Sequence, residues 1–397
     1  MTDRVNAGTL RMGRPVFWRP ATLWGLWLIA FGIFSAALPR DMSYDVLHYH
    51  IHNGWSFVNG RYGQDFAPAN MHSFLNPYVQ AGLWWLMQHL PGPLFAFLIG
   101  MVHGLAFPAI YWFVRNFTGA AGLGERPVTC LFLAFSGFTA EPMFKVVASV
   151  RHDYLGATVF FLAMALVISP GGRVNLRRFT LAGLLLGLMI GLKPTNGVYA
   201  IGLAVFVLLM APGAQASVRA ALWTGAGGVV GILASGGAWY WTLWRDFGNP
   251  LYPSLQSVFH APLGPTTSFV DYVRVPESLP EALTLPFRAA VDGLTVNWYA
   301  SSDLRIAMMY TGAIILLTTI GLRRVTGRPL PDDIRLRPVI ALCASMLTML
   351  FVWMFAFATH RYAMALWCLG PLFAYLTLRV FAARLSEGQP GVRIGLA

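Results

Sequence analysis

The chain has 397 residues, of which 56% are hydrophobic and only 11% are charged, whereas soluble domains carry about 25% charged residues. This composition excludes a disordered chain, a coiled coil and a soluble enzyme with one conventional core. It predicts an all-α, polytopic transmembrane protein with a single domain over residues 1–397. The net charge of +12 suits nucleic acid or acidic lipid as a partner, but in a membrane protein it is first a topology signal.

A transmembrane helix needs roughly 20 apolar residues. The sequence predicts about ten spans, at 21–38, 93–114, 127–147, 154–169, 179–192, 195–211, 220–243, 306–322, 338–358 and 363–380. The apolar segment 77–90 is short and has proline near both ends, so we expect a helix at the membrane interface. Two long external segments remain, at 39–76 and 244–305.

Arginines precede the first apolar run, at Arg4, Arg11, Arg14 and Arg19. A signal peptide has the same charge asymmetry, but 21–38 is long for a signal core. The sequence 36–39 is also a poor cleavage site. We therefore expect this run to be retained as the first span.

The distribution of Lys and Arg predicts the orientation of the spans. With the amino terminus in the cytoplasm both termini lie inside. The inner segments then carry 18 basic and five acidic residues, a net charge of +13, while the outer side has a net charge of −1. Seven of the nine histidines lie on or beside the outer face, so any chemistry is expected there.

The densest polar cluster follows the first span, from Arg40 to Asn53. In a continuous helix its acids and imidazoles would share one face: Asp41, Asp45, His48 and His52. A partly desolvated carboxylate beside imidazoles suits a general base, and it is also a possible divalent-metal site. The ordinary alternative is interfacial hydrogen bonding. The candidate catalytic residues of this cluster are Asp41, Asp45, His48 and His50.

Basic residues at the outer ends of the spans form the second candidate group: Arg151, His152, Lys193 and Arg361. Ionisable groups at membrane depth usually pair or serve a function, and several cations together suit a lipid-linked phosphate. The alternative is snorkelling, or pairing with Asp153, Glu141 or external acids.

Three further features have structural interpretations. Asn249-Pro250 marks a turn at the start of the second long loop, which is either a fixed loop entry or a lid. Glycines every four residues favour close helix packing, at Gly183, Gly187 and Gly191. The cysteines have no paired spacing that indicates a disulfide or a metal site, at Cys130, Cys343 and Cys368.

Several short motifs, in this order along most of the chain, resemble a bacterial branch of the GT-C superfamily of membrane glycosyltransferases. They are Tyr44-Asp45, His48-Tyr49-His50, Asn59-Gly60-Arg61, Ala67-Pro68-Ala69, Phe74-Leu75-Asn76-Pro77, Gly191-Leu192-Lys193-Pro194-Thr195, 248–253 and Arg361-Tyr362-Ala363-Met364. The chain is shorter than protein O-mannosyltransferases and aminoarabinose transferases. We also expect it to lack their soluble carboxyl-terminal domain, and no Asp-Glu pair follows the predicted first span.

The resemblance implies a GT-C-like fold in the bacterial inner membrane, with the site on the periplasmic face. It implies a polyprenyl-phosphate sugar as donor and a glycan, lipid or protein as acceptor. Asp45 would act as the base, with Asp41 as the competing choice. Donor phosphate would bind Lys193, Arg361, Arg151 and His152, and the substrate would contact Tyr44, Asn249 and Tyr362.

The expected partners are therefore the donor, the acceptor and the bilayer, without nucleic acid. No cofactor is required with certainty, and a divalent metal stays open. One alternative is a glycan ligase or polymerase with a polyprenyl-diphosphate donor, which would favour His260 or His152 over Asp45. Another is a lipid or sugar transporter, which would predict midplane charges and inverted halves.

Overall fold

The computed structural model describes residues 20–65, 67–168, 175–266, 274–327 and 334–387. All of the regular structure in these ranges is helical, without strands. The helices are α1 Pro20–Ala37, α2 Ile51–Val58, α3 Tyr78–His89, α4 Gly92–Gly104, α5 Ala106–Ala120, α6 Pro127–Phe138, α7 Glu141–Phe144, α8 Asp153–Val167, α9 Leu176–Leu192, α10 Gly197–Met210, α11 Ala214–Phe247, α12 Gln256–Phe259, α13 Leu279–Val291, α14 Arg305–Val325, α15 Leu336–Ala356, α16 Met364–Cys368 and α17 Gly370–Glu387.

Helices occupy most of each predicted apolar run, and the prediction of an all-α protein is confirmed over the described residues. Five helical stretches there are long and apolar enough to cross a membrane: Gly92–Ala120, Ala214–Phe247, Arg305–Val325, Leu336–Ala356 and His360–Phe381. Shorter apolar helices occupy Ala21–Ala37, Pro127–Phe138, Asp153–Val167 and Pro194–Met210. The segment predicted to lie at the interface is the separate helix α3.

The predicted span 127–147 is shorter than expected, because α6 ends at Phe138. Ala140 is extended and precedes Glu141-Pro142, which starts the single turn α7. An extended residue directly before a first turn that contains proline ends the preceding helix. The break places Glu141 at the end of the bundle instead of inside a span.

Close packing of α9 against α11 explains the glycine repeat. A Cβ atom at Gly183, Gly187 or Gly191 would collide with backbone or side-chain atoms of α11. Small residues allow two helix backbones to approach within van der Waals contact. The prediction that these glycines serve helix packing is therefore confirmed.

The helices differ in how deeply they lie in the bundle. Within the most apolar window of α11 only 17% of the residues are buried, compared with 61% for the stretch His360–Phe381. The last stretch is therefore central and α11 is peripheral. A large core of aromatic and aliphatic side chains fills the space between the helices of the bundle. Phe113, Phe160 and Trp353 are fully buried in this core.

Hydrogen bonds between distant segments show which loops lie at the same end of the bundle. At one end, Asn76 Nδ2 donates to Gly191 O (2.9 Å) and to Ser235 O (3.1 Å). At the other end, Arg335 N donates to Ala121 O (2.8 Å). Both sets join segments that the alternation of predicted spans assigns to the same side. The candidate site lies at the first end.

Candidate functional site

The chain between α1 and α2 is only partly helical. Residues 39–43 have no regular structure, and the Asp41 carboxylate accepts a hydrogen bond from Ser43 N at 2.9 Å. A π-helical turn, Val46–His50, then precedes α2. Pro39 and a short aspartate turn favour a non-helical start, and a π turn changes the angular spacing of side chains. The prediction that Asp41, Asp45, His48 and His52 share one helical face is therefore wrong.

Asp45 instead forms an ion pair with Arg361, which lies 316 residues further along the chain. Arg361 belongs to the 3₁₀ turn His360–Ala363 between α15 and α16. The two side chains are only 20% and 12% exposed. This contact joins the segment that follows α1 to the turn between α15 and α16.

A second ion pair links Lys193, at the end of α9, to Asp153, the first residue of α8. The Asp153 side chain is 2% exposed. Lys193 Nζ lies 5.1 Å from the ring centroid of Tyr362, and the Arg361 guanidinium carbon lies 5.2 Å from it. Both cations therefore contact one aromatic ring, at distances typical of cation–π interactions.

Arg151 and Asp41 form the third pair, with 3.0 Å between Nε and Oδ2 and both side chains 14% exposed. The same Arg151 Nε also donates to Ser149 Oγ at 3.2 Å. Burial alone would raise the pKa of the Asp41 carboxyl, but the hydrogen bond from Ser149 and the charge of Arg151 lower it below its ordinary value. Asp41 is therefore held as a carboxylate.

Buried histidines fill the space beside these pairs. The rings of His50 and His152 are perpendicular, with centroids 5.7 Å apart, and Gln80 Nε2 lies 3.3 Å from His50 Nδ1. Burial lowers the pKa of His50 well below its ordinary value, and the nearby His152 and Lys193 lower it further. Burial and Lys193 likewise lower the pKa of His152 to about 4. Both imidazoles are therefore neutral at pH 7.

We define these three pairs, with His50, His152 and Tyr362, as the ion-pair cluster. Three carboxylates balance three cations, and each predicted phosphate-binding cation already has an acidic partner. The sequence allows these basic residues either to bind a phosphate or to pair with acidic side chains, and the structure shows ion pairs. A donor phosphate would therefore have to replace a carboxylate as the partner of one cation.

Three predicted residues lie away from the ion-pair cluster. Tyr44 is 65% exposed, and its ring stacks on His48 at 3.7 Å between centroids. The buried Asn249 accepts from Leu251 N (2.9 Å) and donates to Ser254 O (2.7 Å). The structure therefore does not support a catalytic position for His48, and it favours a fixed loop entry at Asn249 over a lid.

Sequence reasoning missed a neighbouring group around Glu141. His360 Nε2 lies 3.6 Å from Glu141 Oε2 and 3.2 Å from the hydroxyl of Tyr299. Burial raises the pKa of Glu141, although a hydrogen bond with Tyr299 and the charge of Lys145 oppose this rise. The sequence predicts Glu141 and Asp153 only as possible ion-pair partners of the basic residues. Tyr299 lies in an aromatic-rich loop without a motif. The position of His360 beside Arg361 is the one signal that points to this group.

Metal binding has no preformed ligand set in the part of the chain that the structure describes. No group of three or more His, Cys, Asp or Glu side chains is close enough there to hold an ion. All three cysteines are free and buried. The acids of the ion-pair cluster instead contact basic side chains.

Comparison of the chain with protein-family models, curated proteins and solved structures finds no match. The resemblance to GT-C enzymes therefore rests on the motifs of the sequence. The ion-pair cluster adds a geometric observation, because Tyr44-Asp45, Lys193-Pro194 and Arg361-Tyr362 lie in three distant motifs. The structure brings Asp45, Lys193 and Arg361 to one end of the bundle.

Proposed function

We propose that the protein is a GT-C-type membrane glycosyltransferase that moves a sugar from a polyprenyl phosphate to an acceptor. In this proposal about ten spans place both termini in the cytoplasm and the ion-pair cluster at the periplasmic face of a bacterial inner membrane. The observation that carries the proposal is the convergence of acids and cations from distant segments at one end of an apolar bundle.

Arg361 is the proposed main ligand of the donor phosphate. Its guanidinium suits two phosphate oxygens at once, and its Nε is buried without a hydrogen-bond partner. Lys193 adds a second positive charge across the ring of Tyr362. A donor phosphate that contacts Arg361 would take the place of the Asp45 carboxylate.

This exchange would connect donor binding to catalysis. Once Arg361 contacts phosphate, Asp45 is released to accept the proton of an acceptor hydroxyl or amine. The acceptor oxygen or nitrogen forms a bond to the anomeric carbon, and the bond from that carbon to the phosphate oxygen breaks. The electron pair of the broken bond stays on the phosphate, where Arg361 and Lys193 stabilise the charge.

Asp41 suits a positioning role better than the role of base. Ser43 N, Ser149 and Arg151 all contact its carboxylate. These partners stabilise the ionised form, so Asp41 would be a poor proton acceptor. Arg151 and Asp41 would then fix the first external segment against the loop that precedes α8.

The base is tested by comparison of Asp45→Asn with Asp41→Asn in a transfer assay with polyprenyl-phosphate hexoses. We expect Asp45→Asn to lower the transfer rate by about 10²–10⁴-fold and to retain or improve donor binding, because Arg361 loses its competing partner. Retained activity in Asp45→Asn with loss in Asp41→Asn would transfer the role to Asp41.

The donor site is tested by binding of undecaprenyl phosphate to the full chain in nanodiscs. We expect Lys193→Met and Arg361→Gln to weaken binding by about tenfold or more. Lys145→Met is the matched control, because Lys145 is a cation at the same end that contacts Tyr299 instead. Equal affinity in all four proteins would remove the phosphate site from the proposal. Mass spectrometry of co-purified lipid provides an independent measurement.

A further inference from the structure

A cavity of about 230 Å³ lies between α2, the segment before α3 and the end of α11. Its lining includes five aromatic side chains: Phe57, Tyr62, Phe74, Trp239 and Phe247. The Trp239 indole donates to Phe74 O at 3.0 Å, and its ring lies edge-on to Tyr62 at 4.8 Å. These contacts hold the aromatic faces in fixed orientations.

The lining also includes polar and acidic side chains. Asp65 and Asp246 contribute carboxylates, and Asn53 contributes an amide. Each carboxylate is held by an arginine outside the lining, with Arg61 Nε 2.9 Å from Asp65 and Arg245 Nε 2.8 Å from Asp246. Among the described residues that line the cavity, none is Lys or Arg.

We propose that this cavity binds one neutral sugar ring. A pyranose has apolar C–H faces and a rim of hydroxyl groups, so it matches aromatic walls combined with carboxylate and amide acceptors. The volume is below the roughly 300–1,000 Å³ of pockets for drug-sized ligands, which fits a single ring. Anionic ligands are disfavoured because two carboxylates and no Lys or Arg line the cavity.

A series of contacts leads from the cavity to the proposed catalytic residues, and this step rests on the proposed function. Asn53 lines the cavity and donates to His72 O at 2.7 Å. The ring of His72 stacks on Tyr49 with 4.5 Å between centroids, and Tyr49 is close enough to Arg361 and Asp45 for their charges to affect the pKa of its hydroxyl group. A glycan acceptor with one ring in the cavity would place its next unit beside Asp45.

An aromatic residue of a protein acceptor is the main competing occupant. It would contact the aromatic side chains of the lining, such as Phe57 and Trp239, but it would give the Asp246 carboxylate and the Asn53 amide no hydrogen-bond donor. Unpaired polar groups lower affinity when a ligand removes water from them. The polar rim therefore favours a sugar.

The test uses the full chain in nanodiscs and a panel of neutral methyl hexopyranosides, with saturation-transfer NMR and calorimetry as readouts. We expect at least one glycoside to bind, and hexose 6-phosphates to bind more weakly. Phe57→Ala and Asp246→Asn should each weaken glycoside binding by about tenfold. Phe57 is 41% exposed, so its truncation is compatible with folding.

Two matched controls lie outside the cavity. Phe132 is 68% exposed on α6, and Glu277 is an exposed acid of the second external segment, so Phe132→Ala and Glu277→Gln should leave glycoside binding unchanged. Absence of binding by every glycoside, equal loss in the controls, or preference for an aromatic peptide would overturn the proposal.

The acceptor role is tested separately from sugar binding. If the protein transfers sugar, the cavity variants should raise the acceptor KM and leave undecaprenyl-phosphate affinity unchanged. Glycoside binding without any transferase activity would retain the sugar site and reject the proposed function. Transferase activity with an unchanged acceptor KM in Phe57→Ala and Asp246→Asn would reject the acceptor role of the cavity.

Discussion

The ion-pair cluster and the aromatic cavity both pair carboxylates with basic side chains, but the pairs differ in origin. In the cluster, the partners are 40, 110 and 316 residues apart, and their side chains are 2–20% exposed. In the cavity, Asp65 pairs with Arg61 four residues away and Asp246 with the adjacent Arg245. These local pairs are 23–64% exposed.

The difference predicts where charge matters for stability and where it matters for ligands. A pair between distant segments in a desolvated site stabilises the fold only while both partners are present. A local, solvated pair adds little to stability, and its value lies in the orientation of a carboxylate. Measurements of stability, pH dependence and ligand binding test this difference, from the largest expected effect to the smallest.

Asp153→Asn should have the largest effect, because it leaves the Lys193 ammonium without its partner in a buried site. Loss of one member of a buried ion pair costs about 3–5 kcal/mol. The free energy of unfolding in mixed micelles with sodium dodecyl sulfate measures this cost. We expect Asp153→Asn/Lys193→Met to recover much of the loss, because it removes both charges together.

Asp246→Asn is the matched comparison for Asp153→Asn, since it removes the same kind of charge from a local pair. Its free energy of unfolding should remain close to that of the unmodified chain. If the two variants were equally stable, the distinction between distant and local pairs would fail.

The pH dependence of stability should report the buried histidines of the cluster. The pKa of His152 is about 4 in the folded chain, compared with an ordinary value of 6.5. Between these values the unfolded chain binds a proton that the folded chain does not, so stability falls as pH decreases from about 6.5 to about 4. The loss from pH 7 to pH 5 should be about 2 kcal/mol from His152.

His152→Gln removes this titration and keeps a polar side chain of similar reach. Its unfolding free energy should therefore decline less between pH 7 and pH 5 than that of the unmodified chain. Parallel pH profiles would show that the pKa of His152 in the folded protein is close to its ordinary value, and that the cluster is more solvated than its burial indicates.

The sequence predicts the helical elements well because hydrophobic runs and flanking charges are local signals. It does not predict the pairing of Asp45 with Arg361, since distant segments leave no local trace of their contact. The prediction of a helical face that includes Asp41 is wrong for a local reason. Pro39 and the π turn interrupt the helical periodicity on which that prediction depends. The sequence does not predict the aromatic cavity, because Trp239 and Phe57 belong to distant segments of the chain.

Asp41 and Arg151 provide an intermediate case. A double-mutant cycle with Asp41→Asn and Arg151→Gln should give a coupling energy of about 1 kcal/mol in unfolding measurements, below the loss in Asp153→Asn because both side chains keep some contact with water. A coupling of zero would indicate that Ser43 and Ser149 alone hold the carboxylate, and that the segment that follows α1 is fixed without this ion pair.

Arg61→Gln should produce the smallest change in stability and a visible change in ligand binding. Arg61 lies outside the cavity lining and holds both carboxylate oxygens of Asp65, at 2.9 and 2.5 Å. Because the pair is local and solvated, the unfolding midpoint should stay within experimental error at low and high salt. The freed Asp65 would adopt more rotamers, so affinity for methyl hexopyranosides should fall by about two- to fivefold. A large drop in midpoint with unchanged affinity would reverse the comparison, because it would make Arg61–Asp65 a structural pair and remove the orienting role that the cavity requires.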